Sequence, residues 1–296
     1  MKIVVLGSTN TDMVISGAKI PVPGETVCGG AFMMNPGGKG ANQAVAVARL
    51  AEQKGACLFI AKVGDDLFGR DTAQRLKQDG IDARLIVDPE HASGTALILV
   101  DAQGQNCISV ALGANGTLCP ADVEPFAAEI RAANALLLQL ETPLETVLWA
   151  ARTAHEAGVP VVLNPAPAAT LPGDLYACLD WITPNETEAE LLTGVKVVDL
   201  ASAQAAEREL RARGVKNVAI TLGAQGCYAN GVLYPSTPVK AVDTVAAGDT
   251  FNGAFVVALA EGRGVEAAIA FAQAAAAISV TRKGAQPSVP YRHEVS

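Results

Sequence analysis

Short runs of β-branched and aliphatic residues recur along the chain: KIVVLG, CLFIAKVG, ALLLQL, VPVVLN and NVAITLG. Between them stand segments such as ANQAVAVARLAEQ and LETVLWAARTAHEAG, whose apolar residues return every three or four positions. Runs that are apolar at every position read as strands covered on both faces, and the intervening pattern reads as helices with one buried stripe. Their alternation predicts right-handed βαβ units and a mainly parallel central sheet flanked by helices, an α/β fold.

Two stretches interrupt the alternation. Residues 13–36 hold several glycines and prolines, and GTALILVDAQGQNCISVAL, residues 94–112, reads as two strands around a turn at Gln103-Gly104. Antiparallel strands inserted into an α/β chain predict a small β-sheet lid over the strand ends. With no repeat, low-complexity tract or linker, residues 1–296 read as one α/β domain plus that lid.

Ligands of such sheets bind beyond the carboxyl ends of the strands, so loops that follow strands are where chemistry is expected. Ala246, Ala247, Gly248 and Asp249 stand directly before the apolar pattern TFNGAFVVALAEG. Their backbone N–H groups are the free donors of a helix start, which suits the charge on a transferring phosphoryl group. Asp249 there can orient a substrate hydroxyl and take its proton, although a plain helix cap gives the same pattern.

The turn NPGGKGANQAVAV lacks Walker spacing, and no G-x-G-x-x-G follows the first strand, which removes the P-loop and dinucleotide readings. It does offer Gly37, Gly38, Lys39 and Asn42 to sugar hydroxyls, and GSTNTD adds Asn10 and Asp12. In ITPNETEAELLTG, Asn185 and Glu188 have the spacing for a Mg²⁺ shell reached through water and equally for a helix capping box. TLGAQG, with Thr221, Gly223 and Gly226, suits a nucleotide lying on bare backbone or a tight turn between strands. His155, inside an apolar helical pattern, reads as a packed or surface residue.

Composition narrows the partners. A chain of 296 residues, 50% hydrophobic and 18% charged, can bury a large core, and its net charge of −8 argues against a nucleic acid and for a small-molecule ligand. Six cysteines lie far apart and the three histidines have no metal-ligand spacing, which fits reduced thiols in a cytoplasm. Neither the N-terminus nor the alanine-rich stretch 265–281, broken by Glu266, Gln273 and Ser279, is expected to enter a membrane.

Taken in order, GGKGAN, NETE, AAGD and TRKGAQPSVP closely resemble the ribokinase family, the PfkB-type sugar kinases, over nearly the whole chain. That resemblance implies a ribokinase-like, Rossmann-type sandwich with a β-sheet lid, ATP-dependent phosphorylation of D-ribose at its 5-hydroxyl, and Mg²⁺. It implies Asp249 as base, Ala246 to Gly248 as anion hole, and sugar contacts at Asn10, Asp12, Gly38, Lys39, Asn42 and Glu141. Asn185, Thr221, Gly223, Gly226 and Gln273 fall on the nucleotide side, and Glu188 on the Mg²⁺ side. Asp243, Val245, Ser279, Arg282, Gly284 and Ser288 match a site for an activating K⁺, for which helix ending is the competing account of the 282–284 segment.

Members of that family often dimerise through their lids. Many have G-A-G-D where this chain has Ala246-Ala247-Gly248-Asp249, a subfamily mark that leaves the aspartate in place. Kinases of 2-deoxyribose, another furanose or a nucleoside, and a sugar sensor without turnover, are the alternatives. The retained Asp249 argues against a sensor, which has no use for a base.

Overall fold

The computed structural model describes residues 1–295. Thirteen strands lie at Ile3–Leu6 (β1), Asn10–Ser16 (β2), Ala31–Gly37 (β3), Cys57–Gly64 (β4), Asp82–Asp88 (β5), Gly94–Val100 (β6), Asn106–Ala111 (β7), Ala135–Leu138 (β8), Val161–Leu163 (β9), Trp181–Ile182 (β10), Asn217–Thr221 (β11), Cys227–Ala229 (β12) and Val232–Tyr234 (β13). Nine of them form one sheet in the order β13-β12-β11-β10-β9-β8-β1-β4-β5, parallel from β11 to β5 and closed at the other edge by an antiparallel meander. All five apolar runs singled out above are strands of this sheet.

The central strands β1 and β8 are apolar at every position because both faces of the sheet are covered. In β1, Ile3 and Val5 point into one core cluster while Val4 and Leu6 point into the other, and β4 and β8 alternate in the same way. The first cluster is closed by helices Lys39–Leu50 (α1), Ala247–Ala260 (α2) and Val265–Ser279 (α3). Helix α2 runs apolar nearly all round, and Thr250 to Ala258 are buried without a break, because it lies between α1, α3 and the sheet. Trp181 at the start of β10 meets Phe255 edge-on, with ring centroids 5.0 Å apart.

The remaining four strands form a separate sheet, β3-β2-β6-β7, in which only the β2–β6 pair is parallel. The β6–β7 hairpin turns through Asp101 to Gln105, where Gly104 takes a φ of 79°. Pairing of Met13 with Met34 and Leu97, and of Ile15 with Phe32 and Leu99, collects these side chains on one face. Asp12, one residue out of step, faces the other way. No helix among the described residues is long and apolar enough to cross a membrane.

Candidate active site

The first loop is shaped by backbone contact. β1 delivers Gly7, Ser8 and Thr9 against the start of α1, and Gly38, at φ 88°, caps that helix. A Cβ on Gly38 would lie 2.7 Å from both the Asn10 nitrogen and the Thr9 Cα, so only glycine allows the two loops to touch. One carboxylate oxygen of Glu141, beyond β8, then accepts bonds from Ser8 Oγ at 2.5 Å and from the Lys39 backbone nitrogen at 2.9 Å. Asn10 is buried, and its Oδ1 accepts from Asn115 Nδ2 at 2.9 Å while Asn115 Oδ1 holds the Thr9 nitrogen.

Asp249 owes its position to a helix crossing. A Cβ on Gly253 of α2 would fall 2.4 Å from the Ala46 Cβ of α1, so the two helices are in van der Waals contact there. One turn back on each helix, Asp249 therefore meets Asn42 and Gln43. Asn42 Nδ2 donates to Asp249 Oδ2 at 2.9 Å and Gln43 Nε2 donates to Asp249 Oδ1 at 3.0 Å. The carboxylate is 6% exposed.

Three residues before it, Ala246 occupies the left-handed region at φ 60° as the residue preceding α2. An L-residue held there costs about 1 kcal/mol, so this loop is a locally strained feature of the chain. Its far side is braced: Thr183 Oγ1 donates to Asn252 Oδ1 at 2.6 Å, and Asn252 Nδ2 donates to the Gly248 carbonyl at 2.8 Å. The loop, Lys39, Asp249, Asn164 and Glu188 line a cavity of about 210 Å³.

A second cavity, of about 480 Å³, opens from the first and shares Asn185, Thr221, Thr244, Ala247 and Gly248 with it. Its walls are mostly apolar and include Gly223, Gly226, Val239, Ala276 and Val280. Gln273 also lines it, but its Nε2 is spent on the Tyr234 carbonyl at 2.8 Å. The capping box at helix Glu186–Thr193 is present in full: Asn185 Oδ1 accepts from the Glu188 nitrogen at 2.8 Å, and Glu188 returns a bond from the Asn185 nitrogen at 2.9 Å. Thr221 to Gly226 does form the tight turn between β11 and β12. Both residue sets nevertheless border the cavities, so their structural roles leave room for ligand contact.

Asp243 bridges two segments that are distant in sequence. Its Oδ2 accepts from the Gly284 nitrogen at 2.9 Å and its Oδ1 from the Val245 nitrogen at 3.0 Å. Ser279 and Ser288 are buried and donate to the Ala276 and Ala285 carbonyls, whereas the Arg282 side chain turns to Glu294 at 2.6 Å. Of this set, then, Arg282 has only its backbone to offer near Asp243.

Burial sets the electrostatics. It raises the Asp249 pKa above the ordinary carboxylate value, against the opposing pull of Lys39 and the two amide donors, while the charge of Glu141 adds to the rise. Burial also works to lower Lys39, but the carboxylates of Asp249, Glu141 and Glu188 together hold its pKa above normal, so it stays an ammonium. Asp12 is pushed up to about 6 by burial and then by the charge of Glu141.

Several polar residues of the site have no role assigned by the sequence motifs. Gln43, Gln139, Asn164, Thr183 and Asn252 are all buried. The signal available for three of them was a polar residue directly after an apolar strand, in ALLLQ, VVLN and WIT.

Comparison with known proteins places the chain in a family. The family pattern described as pfkB family carbohydrate kinase matches residues 1–292. A ribokinase from Haemophilus influenzae is 47% identical over 98% of this chain and 95% of its own length. A deoxyribokinase from Salmonella typhi is 40% identical over 98% and 96%. The structure of Arabidopsis thaliana ribokinase complexed with ribose and ATP superposes with a TM-score of 0.92 at 33% identity, covering 99% of this chain and 97% of the other.

Proposed function

The chain belongs to the pfkB family of carbohydrate kinases, and from that premise we propose that it transfers the γ-phosphoryl group of ATP to the 5-hydroxyl of D-ribose, giving D-ribose 5-phosphate and ADP. The observation that carries the reading is the buried Asp249 carboxylate, set in the first turn of α2 beside the backbone N–H groups of Ala246 to Gly248, of which that of Ala247 also reaches the Thr244 carbonyl at 3.3 Å. A base and an anion-binding helix start a few ångströms apart are the two parts an in-line transfer needs.

In this mechanism Asp249 accepts the proton of the attacking hydroxyl, and Lys39 and the loop N–H groups hold the charge that grows on the phosphoryl oxygens. Asn10, Asp12, Gly38, Lys39, Asn42 and Glu141 hold the sugar. Asp12 and Glu141 are acceptors and Asn42 is mixed, a set suited to neighbouring hydroxyls. Buried Asn42 Oδ1 has no protein partner, which fits an acceptor kept for a sugar hydroxyl. The apolar second cavity takes the base of ATP, with Thr221, Gly223, Gly226 and Gln273 around it and Asn185 toward the phosphates.

Glu188, a buried carboxylate on the wall shared with the loop, fits Mg²⁺ held through water, and the ion would offset phosphate charge there. Asp243, whose carboxylate ties Val245 to Gly284, would form with the Val245, Arg282 and Gly284 carbonyls and the Ser279 and Ser288 hydroxyls an oxygen cage for a weakly hydrated monovalent cation such as K⁺. The small sheet, residues 13–36 and 94–112, serves as a lid. Its face bearing Ile15, Phe32, Met34 and Leu97, each between 45% and 63% exposed, supports pairing of two copies through their lids. We place the reaction in the cytoplasm, where six unpaired cysteines stay reduced.

A coupled ADP-release assay across ribose, 2-deoxyribose, fructose and adenosine tests the proposal. Ribose is expected to lead 2-deoxyribose in kcat/KM, because the missing hydroxyl leaves buried acceptors unpaired at about 1 to 3 kcal/mol. Asp249→Ala is expected to lose several orders of magnitude in kcat with sugar binding retained. The likeness to a deoxyribokinase favours 2-deoxyribose as the second reading, and equal or reversed selectivity would support it.

A further inference from the structure

Behind Asp249 lies a chain of buried amides, of which Gln43 and Gln139 line neither cavity. Gln139 Nε2, just beyond β8, donates to Gln43 Oε1 at 2.6 Å. Gln43 Nε2 in turn donates to Asp249 Oδ1 and to Asn164 Oδ1, both at 3.0 Å. Gln43 and Gln139 are fully buried, among residues of α1 such as Ala44, Val45 and Ala46 that are themselves fully buried. An amide in such a place is costly, and a methionine of similar shape would pack there at lower cost. The order of the chain also decides the orientation of each amide. Because the Asp249 carboxylate can only accept, Gln43 turns its NH₂ to Asp249 and its carbonyl to the Gln139 NH₂, while the Gln139 Oε1 has no protein partner.

The geometry points to Gln43 as a positioning residue for the reaction: held by Gln139, it fixes the Asp249 carboxylate through Oδ1 while Asn42 fixes Oδ2, so that the carboxylate keeps one rotamer, with its remaining lone pairs toward the substrate hydroxyl. This rests on Asp249 being the base. Two donors on one carboxylate also favour its ionised form. The charged groups around it, Lys39 of α1, Glu141 beyond β8 and Glu188 of the following wall, are unchanged when Gln43 is replaced. Loss of the Gln43 bond should therefore turn or protonate the carboxylate without emptying the sugar pocket.

The test compares wild type, Gln43→Met, Gln139→Met and Asp249→Ala, with kcat and KM for ribose measured from pH 5 to 9 and thermal unfolding recorded alongside. Gln43→Met is expected to lower kcat at neutral pH by about tenfold to a hundredfold, with KM for ribose changed less than about threefold. Since the base works when ionised and its pKa rises on losing a donor, the acid limb of the kcat profile is expected to move up by about one pH unit. Gln139→Met, which touches neither Asp249 nor ligand, is expected to shift the limb in the same direction by less. A merely structural role would lower the melting temperature and leave the limb in place, and that result overturns the inference. So does a raised KM with unchanged kcat. If Gln43→Met does not fold, Gln139→Met decides by the same limb. Turnover surviving in Asp249→Ala would instead sink the base assignment itself.

Discussion

Replacing Gly253 by alanine sets a helix-packing effect against a helix-propensity effect, and the structure says which wins. The added methyl would start 2.4 Å from Ala46 Cβ, 3.0 Å from the Gln43 carbonyl oxygen and 3.2 Å from the Val47 nitrogen. Carbon atoms prefer about 3.5 to 4 Å, so α1 and α2 must separate by about 1 Å. Overpacking of this kind costs about 1 to 3 kcal/mol, and the gain from removing a helical glycine returns about 1 kcal/mol. The net loss of up to about 2 kcal/mol should lower the melting temperature by only a few degrees in a chain this long. Activity should suffer more. Asp249 sits one turn from the contact, and its partners Asn42 and Gln43 sit on the helix being pushed away. A displacement of about 1 Å at reacting groups can cost a hundredfold, so kcat is expected to fall about tenfold to a hundredfold in a protein still folded at the assay temperature. Calorimetry and steady-state kinetics on the same preparation decide it. A variant as stable as wild type with unchanged kcat would show that the crossing does not position the base.

Three further outcomes follow from particular residues. With its pKa near 6, Asp12 becomes protonated below that pH and can accept fewer sugar hydroxyl bonds. KM for ribose should therefore rise as pH falls through about 6, and Asp12→Asn should flatten that rise. The same raised value means that ionised Asp12 works against folding, a contribution that sets in as pH climbs from about 4 to 6. Ala246→Gly should relieve the left-handed strain at φ 60°, offset in part by the freer unfolded chain, and leave stability equal or up to about 1 kcal/mol higher in urea unfolding. A clear loss of stability there would mean that the alanine side chain makes a contact of its own. Exchange of Na⁺ for K⁺ at constant ionic strength should raise turnover at saturating ribose and MgATP. A flat response would leave Asp243 with only its bonds to Val245 and Gly284.

Fold class and the loops that matter are legible in the order of residues. Runs such as IVVL and ALLL are apolar at every position, which only a sheet covered on both faces rewards, and Gly38, Ala246 to Gly248 and the Asn185–Glu188 pair announce helix starts through local chemistry. These signals are short-range, so they survive in one dimension. What those starts face depends on the packing of distant segments. Gly253 gives no sign in sequence that it touches Ala46, and without that contact nothing says that Asn42 and Gln43 turn their amides to Asp249 across more than two hundred residues. Gln139 and Asn164 look like strand-end polar residues until the parallel order β8-β1 and β8-β9 brings their loops together. The raised pKa values of Asp12 and Asp249 belong to the same class of fact, because burial is a property of the packed chain and never of the residue alone.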